Sequence, residues 1–260
     1  MKLNINKTAL LRFINSLNKL DDTKRFFRSQ STLPLYLQDV LVGLLLSDGH
    51  LEKSSPTSFA RLSVSFGAKH RDYLILLYEL FEMYTNTPPK AITVNNNRTK
   101  TTHEILKFNT VSLPQLLLYH DLFYKLRDNK LIKVIPNNIN DYMSPVTLAH
   151  LIMGDGNLKT QDKIIRIYTN SFTKTEVELL ALSIESKLGI KAKTVHDRNN
   201  QYILSISKNQ LHLLQELLKD HMHPSMLYKL DLESNVGLNN QELLKNVKSI
   251  FSKDNIDLSK

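Results

Sequence analysis

The chain has 260 residues, which is enough for one large domain or two ordinary ones. Its formal net charge of +9 is a surplus of positive charge. Such a surplus is typical of a nucleic-acid partner, although a generally basic protein without one has the same composition. The chain contains no cysteine, which excludes disulfides, thiol nucleophiles and cysteine-based zinc sites. No apolar run approaches the roughly 18 residues that span a bilayer, so we expect no membrane partner.

A basic arm, residues 1–32, precedes the first half of the chain. Its amphipathic stretch 8–28 predicts a helix, and a polar linker follows. An organelle transit peptide would have a similar basic composition. The adjacent acids Asp21 and Asp22 fit a transit peptide poorly, so we interpret the segment as a helical arm.

From Pro34 onward the same order of elements is predicted twice. Apolar residues at helical spacing predict helices at 34–48, 72–84, 113–126, 145–155, 173–188 and 209–218. Alternation with a period of two predicts strands at 61–66, 90–94, 103–109, 163–169, 191–195 and 201–207. The polar segments 50–58 and 130–133 are predicted to be loops.

We interpret this order as an α+β fold of two pseudosymmetric α-β-β-α-β-β-α repeats, residues 33–135 and residues 136–232. Residues 233–260 are predicted to be a polar or helical tail. Paired central helices would lie between two antiparallel sheets, each with an apolar face on the helices and a polar face outward. Together the two polar faces would form a saddle that fits a duplex major groove, which admits a two-stranded ribbon.

Two apolar runs end in the same way, with aspartate followed by glycine. They are residues 41–49, LVGLLLSDG, and residues 148–156, LAHLIMGDG. Glycine commonly ends a helix, and a helix C-terminus carries partial negative charge, so each run places a carboxylate where a cation is already favoured. One such run alone is most often core. Because the run recurs, we expect Asp48 and Asp155 to lie side by side as a hard-oxygen site for a divalent metal such as Mg²⁺.

The two runs resemble the motif that names the LAGLIDADG homing endonucleases, in the single-chain, two-copy form found in mitochondrial introns. Both eighth-position aspartates are present. Lys133 ahead of residues 135–138, and residues 228–230 after Pro224, resemble the segments that close each half in the I-SceI-like branch. The resemblance covers roughly residues 33–232. His150 departs from the pattern, because the family has a glycine there that lets the paired helices pack closely.

The resemblance implies an enzyme that hydrolyses phosphodiester bonds in both strands of a long, asymmetric DNA target. Asp48 and Asp155, with the backbone carbonyls of Ser47 and Gly154, would hold Mg²⁺ that generates the attacking hydroxide. Mn²⁺ should be able to substitute. The protein would act as a monomer on double-stranded DNA in the mitochondrial matrix.

The resemblance also implies two catalytic lysines. Lys133 and Lys229 would lie near the scissile phosphates, where a cation offsets charge that develops in the transition state. Each lysine lies at the far end of its own half, which agrees with parallel roles. Without the flanking resemblance, they would be two of many surface lysines.

Contacts to bases and phosphates are expected from the polar strand faces and the turns beside them. A solvated strand face would explain any one of these residues equally well. The candidates for DNA binding are Arg61, Ser63, Ser65, Arg98, Arg166, Asn170, Lys193, Arg198, Asn199 and Gln201.

Two other functions use the same features. A maturase, which assists intron splicing, would bind structured intron RNA with the same basic surface. A DNA-binding regulator would keep the fold and lack cleavage. Members that have become maturases can lose one or both aspartates, so the presence of Asp48 and Asp155 favours a nuclease.

Overall fold

The computed structural model of the protein describes residues 19–96 and 101–233. Its helices are α1 (19–29), α2 (Leu35–Leu45), α3 (Arg71–Leu80), α4 (Leu117–Phe123), α5 (Pro145–Asp155), α6 (Lys174–Leu188) and α7 (Leu211–Leu218). Its strands are β1 (His50–Lys53), β2 (Ala60–Gly67), β3 (Lys90–Asn96), β4 (Thr101–Asn109), β5 (Tyr124–Arg127), β6 (Lys130–Lys133), β7 (Gly156–Lys159), β8 (Ile164–Ile167), β9 (Ala192–His196) and β10 (Tyr202–Ile206). Within the two described ranges, every helix is too short or too polar to cross a bilayer.

The elements form two repeats of the same order. Strands β1 to β4 make an antiparallel sheet in the order β1-β2-β4-β3, and strands β7 to β10 make a second one in the equivalent order β7-β8-β10-β9. Helices α2, α3 and α4 accompany the first sheet, and α5, α6 and α7 accompany the second. The predicted α+β fold with two α-β-β-α-β-β-α repeats is therefore confirmed. A separate hairpin, β5–β6, lies between the repeats in the chain.

The structure corrects several predicted boundaries. Strand β1 occupies the start of the segment predicted as a loop at 50–58, and β7 likewise begins directly after its motif. The first-half helix predicted at 113–126 ends at Phe123, and the predicted loop at 130–133 is strand β6. The tail predicted at 233–260 and the arm before residue 19 lie outside the described residues, apart from residue 233.

Helices α2 and α5 are packed against each other at the centre of the core. Both are apolar on every side, and most of their residues, including Leu44 and Leu151, are completely buried. Complete burial of a leucine side chain contributes roughly 1.5–3 kcal/mol. Tertiary packing therefore stabilises these two helices, and it can do so only if both are present.

The beginnings of these two helices are joined by polar contacts. Ser144 caps α5 by accepting a hydrogen bond from the Thr147 backbone at 3.1 Å, and Pro145 follows at the first helical position. The Ser144 hydroxyl donates to Asp39 of α2 at 2.8 Å, and the Thr147 hydroxyl lies 3.2 Å from the Asp39 carbonyl oxygen. These contacts set the register of the pair.

Helix α1 is attached to the first repeat. The Arg28 guanidinium donates to the carbonyls of Met83 and Thr85, both at 2.9 Å. The Gln115 amide donates to the Phe27 carbonyl at 3.0 Å. The described part of the predicted arm is therefore a helix that packs on the first repeat.

Candidate active site and nucleic-acid interface

Two glycines allow α2 and α5 to approach closely. A Cβ at Gly43 would lie 2.6 Å from His150 Cβ and 2.6 Å from the Thr147 carbonyl oxygen. One turn further along, a Cβ at Gly154 would lie 2.5 Å from the Ser47 hydroxyl. No real Cβ tolerates such distances. The chain therefore needs glycine at one member of each facing pair.

His150 replaces a glycine without separating the helices. Its partner in the pair is Gly43, which leaves room for the histidine Cβ, and its ring lies beside Tyr73 of α3. The Tyr73 hydroxyl and His150 Nδ1 are 2.8 Å apart in a fully buried hydrogen bond. Burial and the nearby His221 lower the pKa of His150 to about 3, so its imidazole is neutral. The histidine is therefore accommodated by the glycine opposite it and by a hydrogen bond to α3.

The close approach brings the two motif carboxylates together. Asp155 is the last residue of α5, and Asp48 follows α2 in a turn. The carboxylate of Asp48 lies 3.3 Å from the place where a Gly154 Cβ would be, so it lies over the backbone of the other repeat. The absence of a side chain at Gly154 therefore shapes the site as well as the helix contact.

Both carboxylates have raised pKa values. Removal from water raises the pKa of Asp155 to about 7, with a further increase from the charge of Asp48 and a decrease from Lys133 and Lys229. Desolvation also raises the pKa of Asp48, against the attraction of the same two lysines. The two lysines therefore do not fully compensate the desolvation of the two carboxylates and their mutual repulsion when both are ionised.

Each lysine contacts the end of the motif helix in its own repeat. The Lys133 ammonium donates to the carbonyls of Ser47 at 2.7 Å and Gly49 at 2.9 Å. The Lys229 ammonium is buried and donates to the carbonyls of Met153 at 2.6 Å and Gly154 at 3.1 Å. Such carbonyls lack partners within a helix and carry the negative end of its dipole. The arrangement repeats across the pseudosymmetric halves.

Burial changes the proton affinity of both lysines. Desolvation lowers the pKa of Lys133 to about 8, although Asp155 and Asp48 raise it. Desolvation lowers the pKa of Lys229 to about 8 in the same way. Near neutral pH both are therefore largely protonated, but each can release a proton far more readily than an ordinary surface lysine.

The donor set fits a hard divalent cation. Two carboxylates from different repeats converge, and their mutual repulsion would be relieved by positive charge. The carbonyls of Ser47 and Gly154, which were predicted as further ligands, accept hydrogen bonds from the lysines. Their metal-binding role stays a prediction. No cluster of three or more histidine, aspartate or glutamate side chains suited to a metal exists in residues 19–96 and 101–233.

The polar faces of the two sheets carry different residues. Across the first sheet, the strand register places Ser65, Lys107 and Lys90 in one row. Across the second sheet, the register forms a polar row of Asn157, Arg166, Ser205 and Lys193, one strand pair nearer the motif than the row of the first sheet. Side chains opposite each other on neighbouring strands share a face. Each sheet therefore has a polar, basic row suited to a polyanion.

The structure corrects the predicted exposure of one candidate for DNA binding. Ser63 lies at the centre of β2 between His50 and Asn109, and its side chain is completely buried. The prediction of an exposed Ser63 is therefore wrong, and its contact with DNA stays a prediction. Arg98 lies outside the described residues. The contacts to DNA of the other candidates stay predictions.

Several of these candidates form contacts within the protein. Arg61 forms an ion pair with Glu52 at 2.7 Å. The Asn170 amide donates to Asp197 at 2.9 Å and to Gln201 at 3.3 Å, which connects the end of β8 to the turn before β10. Ser65 and Arg166 are half-buried in their sheets, whereas Lys193, Arg198 and Asn199 are exposed.

Sequence reasoning missed other residues of the site. Lys90, Lys107, Asn157 and Ser205 share the polar rows, and only the strand register identifies them. Tyr73 was also missed, because its partner His150 is distant in the chain. A tyrosine within an apolar helix gives no local sign of such a contact.

Comparisons with known proteins agree with this geometry. Residues 38–214 match the profile of the LAGLIDADG DNA endonuclease family. The structure is similar to that of the homing endonuclease I-WcaI bound to its DNA recognition sequence, with a TM-score of 0.71 and 22% identity over 81% of this chain and 92% of the other. That likeness supports the fold.

Curated relatives include both maturases and endonucleases. The cytochrome b mRNA maturase bI2 of Debaryomyces hansenii is 34% identical, over 74% of this chain and 72% of the relative. The Saccharomyces cerevisiae protein of the same name is 28% identical, over 87% of this chain and 53% of the relative, so the chain spans about half the length of that protein. The DNA endonuclease I-ChuI of Chlamydomonas applanata is 27% identical, over 74% of this chain and 93% of the relative. The matched family profile, the relatives and the repeated fold together show that this chain belongs to the LAGLIDADG DNA endonuclease family.

Proposed function

We propose that the protein is a site-specific homing endonuclease that cuts both strands of a long double-stranded DNA target and requires a divalent metal, Mg²⁺. The observation that carries this proposal is the convergence of Asp48 and Asp155, each accompanied by a lysine of its own repeat that donates to the backbone carbonyls beside it. A structural helix pair alone needs neither the carboxylates nor the lysines.

Asp48 and Asp155 would hold the metal through their carboxylate oxygens, and Mn²⁺ should also fit such a site. When bound, Mg²⁺ would supply an activated water at neutral pH and stabilise charge on the leaving oxygen. The protein itself would hold the two carboxylates close together, because the contact between Gly154 and Ser47 brings the ends of the two motif helices together. Because the two carboxylates are close together and partly removed from water, a cation bound between them would be favoured.

Lys133 and Lys229 would place a positive charge beside each scissile phosphate. Their ammonium groups are fixed on backbone carbonyls, so little reorganisation is needed when charge develops on the phosphate. With pKa values of about 8, they are also able to exchange a proton with the nucleophile or leaving group. One lysine in each repeat agrees with one repeat acting on each strand.

The target should be asymmetric. The row Ser65, Lys107 and Lys90 differs chemically from the row formed by Asn157, Arg166, Ser205 and Lys193. Two different surfaces recognise two different half-sites. Because a single chain supplies both repeats and both carboxylates, it would work as a monomer. Its proposed location is the mitochondrial matrix.

A maturase is the alternative function. It is favoured by the relatives from S. cerevisiae and D. hansenii, which are named cytochrome b mRNA maturases. Intron RNA would use the same basic surface, and splicing assistance would not need the carboxylates. Retention of splicing assistance by a cleavage-deficient variant would support this activity in addition to DNA cleavage.

Selection from a long randomised duplex library with Mg²⁺ tests the proposal, with cleaved molecules scored. We expect recovery of one long, asymmetric cut site. Asp48→Asn and Asp155→Asn should each lower double-strand cleavage of that site at least about a hundredfold, because the lost oxygens act on the transition state. Binding measured in Ca²⁺ should be nearly unchanged.

Glu185→Gln is the matched control, since it removes one negative charge from the exposed side of α6. It should cleave like the unchanged protein. Robust cutting by either aspartate variant would contradict the site assignment. Binding without any cleavage by the unchanged protein would favour the maturase.

A further inference from the structure

The β5–β6 hairpin presents a pair of leucines to solvent. Leu126 is 70% exposed and Leu131 is 56% exposed, which makes Leu126 the most exposed large hydrophobic residue in the described part of the chain. The two leucines are directly opposite each other in the strand register. They therefore form one continuous apolar patch, whose exposure is unfavourable unless a partner covers it.

The base of the same hairpin is part of the candidate active site. Tyr124 and Lys133 form the pair two positions from the leucines in the register. The Tyr124 hydroxyl accepts a hydrogen bond from the Leu51 backbone at 2.8 Å, and Lys133 contacts the carbonyls that flank Asp48. Since side chains alternate along a strand, the two leucines share this face and lie about 7 Å further along the hairpin.

The hairpin is also attached to the second repeat. The Arg127 guanidinium lies 3.1 Å from Glu176, a residue of the capping box that begins α6. The hairpin therefore connects the two repeats beside the two carboxylates. Asp128 and Asn129 form its turn with φ values of 49° and 59°, as a tight two-residue turn requires. These restraints hold the leucines in a fixed position.

The neighbouring charges indicate the partner. The hairpin contains Lys125, Arg127, Lys130 and Lys133 and a single acid, Asp128. An apolar patch on a strongly basic hairpin, on the same face as the lysine that contacts the carbonyls beside Asp48, suits DNA better than it suits a protein surface. If the two sheets occupy successive major grooves, the duplex between them presents its minor groove to the centre of the protein.

We propose that Leu126 and Leu131 press into the minor groove between the two cleavage positions and unstack the base pairs there. This inference rests on the proposed endonuclease function. Apolar side chains inserted at a base step bend the duplex and partly unstack it. The deformation would bring both scissile phosphates toward the carboxylates, so the cost of unstacking would be met by contacts formed only in the cleavage-competent complex.

The test uses the duplex recovered by selection, with 2-aminopurine at its centre. For the double variant Leu126→Ser with Leu131→Ser, we expect single-turnover cleavage in Mg²⁺ to slow about tenfold or more, while binding in Ca²⁺ changes less than about threefold. The rise in 2-aminopurine fluorescence on binding in Ca²⁺ should be lost. A duplex with two mismatched central base pairs, which is already unstacked, should restore the cleavage rate to within about twofold.

Two further variants separate insertion from other roles. Leu126→Met with Leu131→Met keeps the apolar bulk and should behave like the unchanged protein. Leu182→Ser removes a leucine that is 64% exposed on α6 and should also have no effect. The inference is overturned if the double-serine variant cleaves intact duplex normally, or if mismatches fail to rescue it. Fluorescence in Ca²⁺ does not depend on cleavage, so failure of the endonuclease proposal would be seen separately.

Discussion

At the scale of single residues, His150 stands where a glycine would let the paired helices pack closely, and its side chain forms a buried hydrogen bond instead. The imidazole lies in the core, 1% exposed, against the Tyr73 hydroxyl. A buried imidazole is stable only while it is neutral, because burial removes a positive charge from water and the nearby His221 opposes one. The replacement of glycine therefore connects the stability of the helix pair to pH.

His150 should make the protein less stable in mild acid. Its pKa is about 3 in the folded state, below the ordinary value of 6.5, so between these values only the unfolded chain binds the proton. The contribution is fully present above pH 6.5 and is lost as the pH falls. Titration of His150 alone should lower the free energy of unfolding by about 1.4 kcal/mol by pH 5.5, against the opposite contribution of Asp155, whose pKa is raised to about 7.

Urea unfolding at pH 7.5 and pH 5.5 measures this loss. His150→Gln should be less stable at both pH values but should lack about 1.4 kcal/mol of the difference between them, because an amide does not titrate in this range. His212→Gln, which removes a histidine from an exposed position of α7, is the control for the loss of an imidazole as such. An identical pH dependence for His150→Gln would contradict the prediction.

The candidate active-site residues could be named from the sequence because they lie in the repeated motif or in segments that resemble the family. Asp48 and Asp155 end the apolar runs, and Lys133 and Lys229 stand in the closing segments that resemble the family. Ser63 was not predictable in the same way. Ser63 follows Arg61 by two residues, so alternation places both on the same face of the strand. The burial of Ser63 follows from its neighbours in β1 and β4, which only the sheet register identifies.

At the scale of elements, the contact between α2 and α5 depends on two glycines. Gly43 and Gly154 are placed one turn apart along the interface, on different helices, and each meets atoms of the other repeat within 2.6 Å of a Cβ position. The site is assembled at the end of this interface. A change that separates the helices should therefore affect stability and the distance between the carboxylates together.

Gly43→Ala should destabilise the protein by roughly 1–3 kcal/mol, because the added methyl overlaps the backbone of α5 and cannot be relieved by rotating a side chain. Gly67→Ala is the matched control. A Cβ at Gly67 meets no atom within 4 Å, and the backbone there is extended. Chemical denaturation of both variants measures the difference. Equal stabilities would show that the helix contact is more adaptable than its distances indicate.

The sequence predicted the long helices and those strands in which apolar and polar residues alternate clearly. Strands β1 and β7 were missed because each has only four residues and begins where the motif ends, so no period is established. Their strand conformation comes from pairing with β2 and β8 further along the chain. The β5–β6 hairpin was missed for a similar reason, since its basic residues resemble a solvated loop.

At the scale of the whole molecule, the two sheets divide the basic surface into two unlike halves. Lys90 on β3 and Lys193 on β9 are exposed on edge strands and belong to the polar rows of their sheets. Lys187 is equally exposed, but it lies on α6, in the helical layer. We therefore expect the excess positive charge to act on a polyanion through particular positions of the sheets.

Salt dependence distinguishes these positions. If Lys90 and Lys193 each neutralise a phosphate, Lys90→Gln and Lys193→Gln should each reduce the slope of log K against log salt concentration by about 0.9, and the double variant by about twice as much. Lys187→Gln should leave the slope unchanged. Fluorescence anisotropy with the selected duplex in Ca²⁺, from 50 to 300 mM salt, provides the slopes. An equal reduction for all three lysines would mean that the charge acts diffusely, and an unchanged slope for Lys90 and Lys193 would remove the sheet faces from the phosphate interface.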